Sequence, residues 1–206
     1  MSIPNSLTIF RILLTPVFVI LLFAESPLLK QISLVVYVVA ALTDWYDGWV
    51  ARRYGYVSRW GQFLDPLADK ILALAALFSF VYLNLIDGWM VWIIVMRDVL
   101  ITGLRSYAEW YNRPIVTSKS AQAKTFGEFI VIYYILILYV GSNVQIIRND
   151  FKDLIETLMH PQVLFGMMLL VTISTIGTGV MYLFDNRKLI SELHDRYFGS
   201  TESEQK

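Results

Sequence analysis

The chain contains no cysteine and only two histidines, His160 and His194. The first absence excludes disulfides, thiol nucleophiles and Cys-ligated zinc. Charge is also scarce: Asp, Glu, Lys and Arg make up 17% of 206 residues, seventeen of each sign, for a formal net charge of zero. No basic field is present that would suit a nucleic acid. Met1-Ser2-Ile3-Pro4-Asn5 lacks a basic n-region and a small-residue cleavage site, so the first apolar run reads as a retained helix rather than a signal peptide. What the chain does have is apolar surface. It is 56% hydrophobic, with a mean hydropathy of +0.55, values that belong to polytopic membrane proteins.

A membrane span needs about 20 mostly apolar residues. Six stretches qualify, about 7–24, 31–54, 65–86, 89–111, 122–142 and 162–184, divided by breakers such as Ser26-Pro27, Asp87-Gly88 and Arg113-Pro114. The expected fold is all-α, a polytopic integral membrane bundle of six transmembrane helices over residues 1–184, with a polar cytoplasmic tail at 185–206. Residues 145–160 alternate charged and apolar side chains and predict a helix lying on the membrane surface. No internal repeat and no soluble domain stand out.

Lys and Arg counts orient the bundle. The side of both termini would hold Arg11, Arg52, Arg53, Arg59, Lys70, Arg113, Lys119, Lys124, Arg187, Lys188, Arg196 and Lys206; the other would hold Lys30, Arg148 and Lys152. Twelve against three puts the termini and the 52–59 loop in the cytoplasm. The six tryptophans fall mostly near span ends, where amphipathic rings favour the interface.

Four aspartates stand inside this apolar sequence as two pairs, Asp44 with Asp47 and Asp65 with Asp69. An Asp at a helix centre in the bilayer costs about 2.5–3.5 kcal/mol on insertion scales, so something must offset four of them. At 100° per residue each pair is stacked on one helix face, and the short connection predicts antiparallel neighbours whose carboxylates converge below the cytoplasmic surface. Four close carboxylates cannot all ionise without cations between them. Two divalent ions, Mg2+ or Mn2+, would neutralise them and would suit a diphosphate. Gly48 and Gly61 permit close approach to the backbone, Ala51 leaves room, and Arg52 offers a planar fork for phosphate. Ion pairing with Arg52, Arg53 or Arg59 would explain a single Asp more readily than four. An EF-hand is disfavoured by the acidic spacing and the missing twelfth-position Glu.

The string Asp44, Asp47-Gly48, Ala51-Arg52, Gly61, Asp65 and Asp69 resembles the motif of the CDP-alcohol phosphatidyltransferase family at all eight fixed positions. The resemblance implies a cytoplasm-facing membrane enzyme, usually a homodimer, that passes a phosphatidyl-type group from a CDP-linked lipid to an alcohol and releases CMP. It implies that Asp44, Asp47, Asp65 and Asp69 hold the metal, that Asp69 is also the general base, and that Gly48, Ala51, Arg52 and Gly61 line the CDP site. Within the family the chain looks most like bacterial members that join CDP-diacylglycerol to glycerol 3-phosphate in phospholipid biosynthesis at the cytoplasmic membrane. The stretches that carry this are Pro4-Asn5-Ser6-Leu7-Thr8-Ile9-Phe10-Arg11, Asp65-Pro66-Leu67-Ala68-Asp69-Lys70, Arg97-Asp98, Gly103-Leu104-Arg105 and Lys124-Thr125. In those members the basic positions, here Arg97, Arg105 and Lys124, bind the acceptor phosphate. Arg97 and Arg105 lie within about 80° on one helix face, and a buried arginine favours an anion. Pairing of Arg97 with a nearby Asp is the competing reading. One departure stands out: the usual Gly-Lys before Lys-Thr reads Ala121-Gln122, a missing cation that Lys119 is placed to supply.

With no Cys and no histidine expected near the pocket, a covalent phosphoryl-enzyme lacks its usual nucleophiles, which favours direct in-line attack. Inositol phosphate, serine or a diacylglycerol remain alternative acceptors. A cation transporter or channel is the alternative of a different class, disfavoured by the absence of inverted repeats and broken midplane helices. An intramembrane prenyltransferase shares Asp-rich magnesium chemistry but has no use for Ala51-Arg52 and Gly61.

Overall fold

The structure, a computed structural model, describes the backbone of residues 3–54, 59–110 and 119–187, and the side chains of residues 8–43, 70–105 and 124–187. Eight helices and no strand occur among the described residues: α1 Ile3–Leu22, α2 Pro27–Tyr54, α3 Arg59–Tyr82, α4 Gly88–Trp110, α5 Lys119–Ser142, α6 Gln145–Asp150, α7 Lys152–Leu158 and α8 Pro161–Asp185. The fold is therefore all-α. The six long helices, of 20 to 28 residues, overlap the six apolar stretches of the sequence. At 1.5 Å per residue each is about 30 Å or longer, enough to cross a hydrocarbon core.

Length and composition together single out two stretches as candidate spans among the described residues, Lys124–Ser142 and Pro161–Asp185. Thr8–Leu22, Pro27–Thr43 and Lys70–Tyr82 are apolar but shorter. The bounds at residues 8, 43 and 70 are the limits of the described side chains. α4 is set apart by charge, since it carries Arg97, Asp98 and Arg105. The single surface helix expected over 145–160 is instead two short helices, α6 and α7, broken at Phe151 (φ −127°, ψ 25°).

Local chemistry sets the helix ends. Pro27 and Pro161 each open a helix, where a missing N–H costs nothing. Asn84 closes α3 at φ 57°, the one non-glycine residue with positive φ among those described. Leu85 N–H donates to Phe80 C=O at 2.9 Å and Asn84 N–H to Val81 C=O at 2.9 Å, the paired bonds of a Schellman cap. His160 Nδ1 accepts from Gln162 N–H at the start of α8. His160 is exposed, as expected, whereas His194 lies outside the described residues.

Side chains such as Phe18, Tyr37, Leu77, Ile94, Ile135 and Met168 form one core. α1 packs on both α2 and α3, which also touch each other, and α8 packs on α4 and α5. The inward face of α8 reads Leu164, Met168, Val171, Thr172, Thr175 and Gly179, a helical period. The outward faces are apolar too: Ile20, Val35, Leu170 and Phe184 are all exposed. Meanwhile Arg11, Asp98, Lys124 and Glu128 are buried. A polar interior inside an apolar exterior fits a hydrocarbon surround and marks the buried charges as functional candidates.

One end of the bundle is tied by Lys30, whose Nζ donates to Asn143 Oδ1 at 2.7 Å and lies 5.2 Å from the Tyr139 ring centre. Tyr134 Oη donates to Leu158 C=O at 2.9 Å, fastening α7 to α5. Lys30 therefore shares an end of the bundle with the 145–160 segment.

Candidate active site

The motif residues fall on two touching helices. Asp44, Asp47, Gly48, Ala51 and Arg52 belong to α2; Gly61, Asp65 and Asp69 belong to α3. Their side chains lie outside the described residues, as do those of Ala121 and Gln122 and of Lys119. Helical spacing puts Asp44 and Asp47 one turn apart, and likewise Asp65 and Asp69. As a donor set, four carboxylates are hard oxygen ligands suited to Mg2+ or Mn2+ and unsuited to a soft metal.

Lys70 directly follows Asp69 on α3. Lys70 Nζ donates to Asp98 Oδ2 at 2.5 Å. Arg97 Nη1 donates to Asp98 Oδ1 at 2.9 Å. Lys124 Nζ donates to both Asp98 oxygens, at 3.1 and 3.3 Å, and to Glu128 Oε2 at 2.7 Å. Asp98 is thus a carboxylate with three cationic partners from three helices, α3, α4 and α5. The Asp98, Lys124 and Glu128 side chains are 1–3% exposed, Arg97 13% and Lys70 23%. Burying ions this deeply costs several kcal/mol each unless good geometry and hydrogen bonds compensate. Here they do, through charge-assisted bonds at 2.5–3.3 Å.

Among the described residues, three cations against two carboxylates leave this group one positive charge in excess. Two buried atoms in it have no hydrogen-bond partner among the described residues: Arg97 Nε, a donor, and Glu128 Oε1, an acceptor. A group of net positive charge with an unspent arginine donor is prepared for an anion. A groove between α5 and α8, lined by Lys124, Gly127, Val131, Ser174, Gly177 and Thr178, reaches the same place from the side of the bundle.

Of the three cations expected at the acceptor site, Arg97 and Lys124 meet on Asp98, and Arg105 follows on the same helix. Eight residues carry it about 12 Å further along α4, where it is exposed. Arg97 does pair with an acid, Asp98, its neighbour in sequence. Arg97 thus pairs, as the competing reading has it, and it also retains an unspent donor at Nε. Lys70 and Glu128 are the participants that sequence reasoning does not single out. Glu128 left a local sign, since Lys124 and Glu128 stand at i and i+4. Lys70 left none, because its partner is 28 residues away.

A family model for CDP-alcohol phosphatidyltransferase matches residues 1–180. Among curated proteins, the chain is similar to the CDP-diacylglycerol–glycerol-3-phosphate 3-phosphatidyltransferase of Bacillus subtilis (strain 168), 34% identical over 148 residues, covering 66% of this chain and 77% of that protein. The protein of the same name from Rickettsia bellii (strain RML369-C) is 32% identical over 143 residues, covering 69% and 79%. That from Salmonella paratyphi A (strain ATCC 9150 / SARB42) is 32% identical over 141 residues, covering 66% and 76%. With the family model spanning most of its length and the motif met on two adjacent helices, the chain belongs to the CDP-alcohol phosphatidyltransferase family.

Proposed function

We propose that the protein is a phosphatidylglycerophosphate synthase, transferring the phosphatidyl group of CDP-diacylglycerol to glycerol 3-phosphate and releasing CMP. The observation that carries the choice of acceptor is the cationic group at Asp98. It begins one residue after Asp69, is positive among the described residues, and includes Arg97 and Lys124. An acceptor bearing a phosphate dianion matches it; serine or a diacylglycerol does not. The names of the similar proteins agree.

In this reading all six long helices span the cytoplasmic membrane, with the termini and active site on the cytoplasmic side, and the protein works as a homodimer. Asp44, Asp47, Asp65 and Asp69 would hold two divalent ions, Mg2+ or Mn2+, which supply neutralising charge for the diphosphate. Gly48, Ala51 and Gly61 leave room for the nucleotide against the helix backbones, and Arg52 donates to the diphosphate. Arg97 and Lys124 hold the acceptor phosphate and so place its free hydroxyl near the lipid-side phosphorus. Asp69 accepts the hydroxyl proton as the new P–O bond forms and the bond to CMP breaks. Arg105, exposed further along α4, meets glycerol 3-phosphate as it enters.

The test is CMP release by the purified full-length protein with CDP-diacylglycerol and a panel of acceptors: glycerol 3-phosphate, inositol phosphate, serine and a diacylglycerol. Turnover with glycerol 3-phosphate at least about tenfold above the others supports the assignment. Faster turnover with inositol phosphate would retain the anion site and replace the acceptor. Faster turnover with serine or a diacylglycerol would refute both.

A further inference from the structure

Arg97 is held from two sides. Asp98 takes Nη1; on the opposite side, Nη2 donates to Thr178 Oγ1 at 3.1 Å, 81 residues away on α8. The Thr178 hydroxyl has its own proton directed at the backbone, where it donates to Ser174 C=O at 2.8 Å and lies 3.1 Å from Thr175 C=O. Its lone pair is therefore what faces the guanidinium. The next residue, Gly179, is buried against the stem of the same arginine. A Cβ built there would stand 3.1 Å from Arg97 Cγ and 3.9 Å from Nε. Any larger residue would push Arg97 aside by a few tenths of an ångström. The packing of α8 on α4 thus runs directly through this side chain.

We propose that Thr178 and Gly179 are positioning residues for Arg97, so that the last long helix sets how tightly the acceptor phosphate is gripped. The inference rests on the reading of Arg97 as an acceptor-phosphate ligand. Two N–H groups of Arg97 are spent on Asp98 and Thr178, and these fix the plane of the guanidinium. The remaining donors, Nε among them, then present one orientation to an incoming phosphate. Arginine's advantage over lysine is this planar fork, and the advantage exists only when the plane is fixed. Thr178 supplies the anchor on α8, and Gly179 supplies the space the stem needs.

Steady-state kinetics of the full-length protein in mixed micelles, varying each substrate in turn, test the proposal. Thr178→Val keeps the shape and removes the acceptor lone pair. It should raise KM for glycerol 3-phosphate about three- to tenfold, the scale of one ordinary hydrogen bond, because the loss is felt through Arg97 rather than at the substrate. KM for CDP-diacylglycerol should stay within about twofold. Thr178→Ser should restore the wild-type value. Gly179→Ala should act like Thr178→Val, and in an Arg97→Ala background neither change should add to the effect, as expected for residues that work through one group. If Gly179→Ala does not accumulate in membranes, the Val and Ser variants at Thr178 decide the matter alone. A lowered melting temperature with acceptor KM unchanged would reduce Thr178 and Gly179 to packing and overturn the proposal. The underlying reading fails separately: Arg97→Ala itself would then leave acceptor KM unaltered.

Discussion

Lys70 and Asp98 meet at 2.5 Å, although 28 residues lie between them. The contact joins α3, which carries Asp65 and Asp69, to α4, which carries Arg97. Because Asp98 also receives Lys124, the same carboxylate sets α5 in register with both. Two halves of the proposed reaction, the diphosphate site and the acceptor site, are thereby coupled through one buried side chain.

Asp98→Asn should therefore damage more than local chemistry. The change leaves Lys70, Arg97 and Lys124 close together with, among the described residues, only Glu128 to balance them. Removing one partner from a buried ion pair typically costs about 3–5 kcal/mol. A clear fall in the melting temperature of the purified protein is expected. Inorganic phosphate should raise that temperature more in the variant than in the wild type, since an anion can occupy the vacated position. No stabilisation of either protein would argue against an anion site at this place.

The two lysines should differ. Lys124 is buried and bonded to two carboxylates, while Lys70 is a quarter exposed and bonded to one. Lys124→Met strands Glu128, which has no other hydrogen-bond partner among the described residues. The expected loss is about 3–5 kcal/mol for Lys124→Met and roughly 1 kcal/mol or less for Lys70→Met, where water reaches the site. Comparing the melting temperatures of the two variants in one detergent checks the order, and the reverse order would contradict the burial on which it rests.

Much of this was legible in the sequence. The long apolar runs and their breakers locate six helices, because a bilayer permits few alternatives to a helix. The ends are less legible: α3 starts at Arg59, six residues before the expected 65. Hydropathy marks the apolar stretch, whereas backbone hydrogen bonding continues through the polar turn Arg59-Trp60-Gly61-Gln62. The break at Phe151 gives no sign in the alternation of charge and apolar residues around it. The acidic motif is readable as a pattern of spacings. The Asp98 group is not, because its partners come from α3 and α5, 28 and 26 residues away, and only packing unites them. Thr178 and Gly179 are further still, at 81 residues from Arg97 in the case of Thr178.

Asn84 offers a test of the cap that turns α3 toward α4. At φ 57°, an alanine pays the steric cost of the left-handed region, about 1–2 kcal/mol. Glycine does not. Asn84→Ala should lower the melting temperature and Asn84→Gly should leave it nearly unchanged. A neutral alanine variant would mean that the cap adopts another conformation.

Asp69 is predicted to separate binding from turnover. Asp69→Asn should reduce CMP release by about 10²-fold or more, the usual scale for loss of a general base, while binding of CDP-diacylglycerol largely persists. Chelation of divalent ions should abolish activity in the wild type, and added Mg2+ or Mn2+ should restore it. Proportional loss of binding and turnover in Asp69→Asn would assign the residue to substrate binding alone.

The final prediction concerns the phosphorus itself. A two-step route needs an enzyme nucleophile, and this chain has no cysteine and only two histidines. His160 is exposed and caps α8 beside the short helices, at the end of the bundle that Lys30 ties to Asn143. Carboxylates that hold metal are poor nucleophiles, because their electron pairs are already engaged. A single displacement follows, in which the acceptor hydroxyl attacks opposite the departing CMP. With CDP-diacylglycerol made chiral at the lipid-side phosphorus by isotopic or sulfur substitution, the product should show inversion. Retention would require an even number of displacements, and hence a covalent intermediate on one of the aspartates.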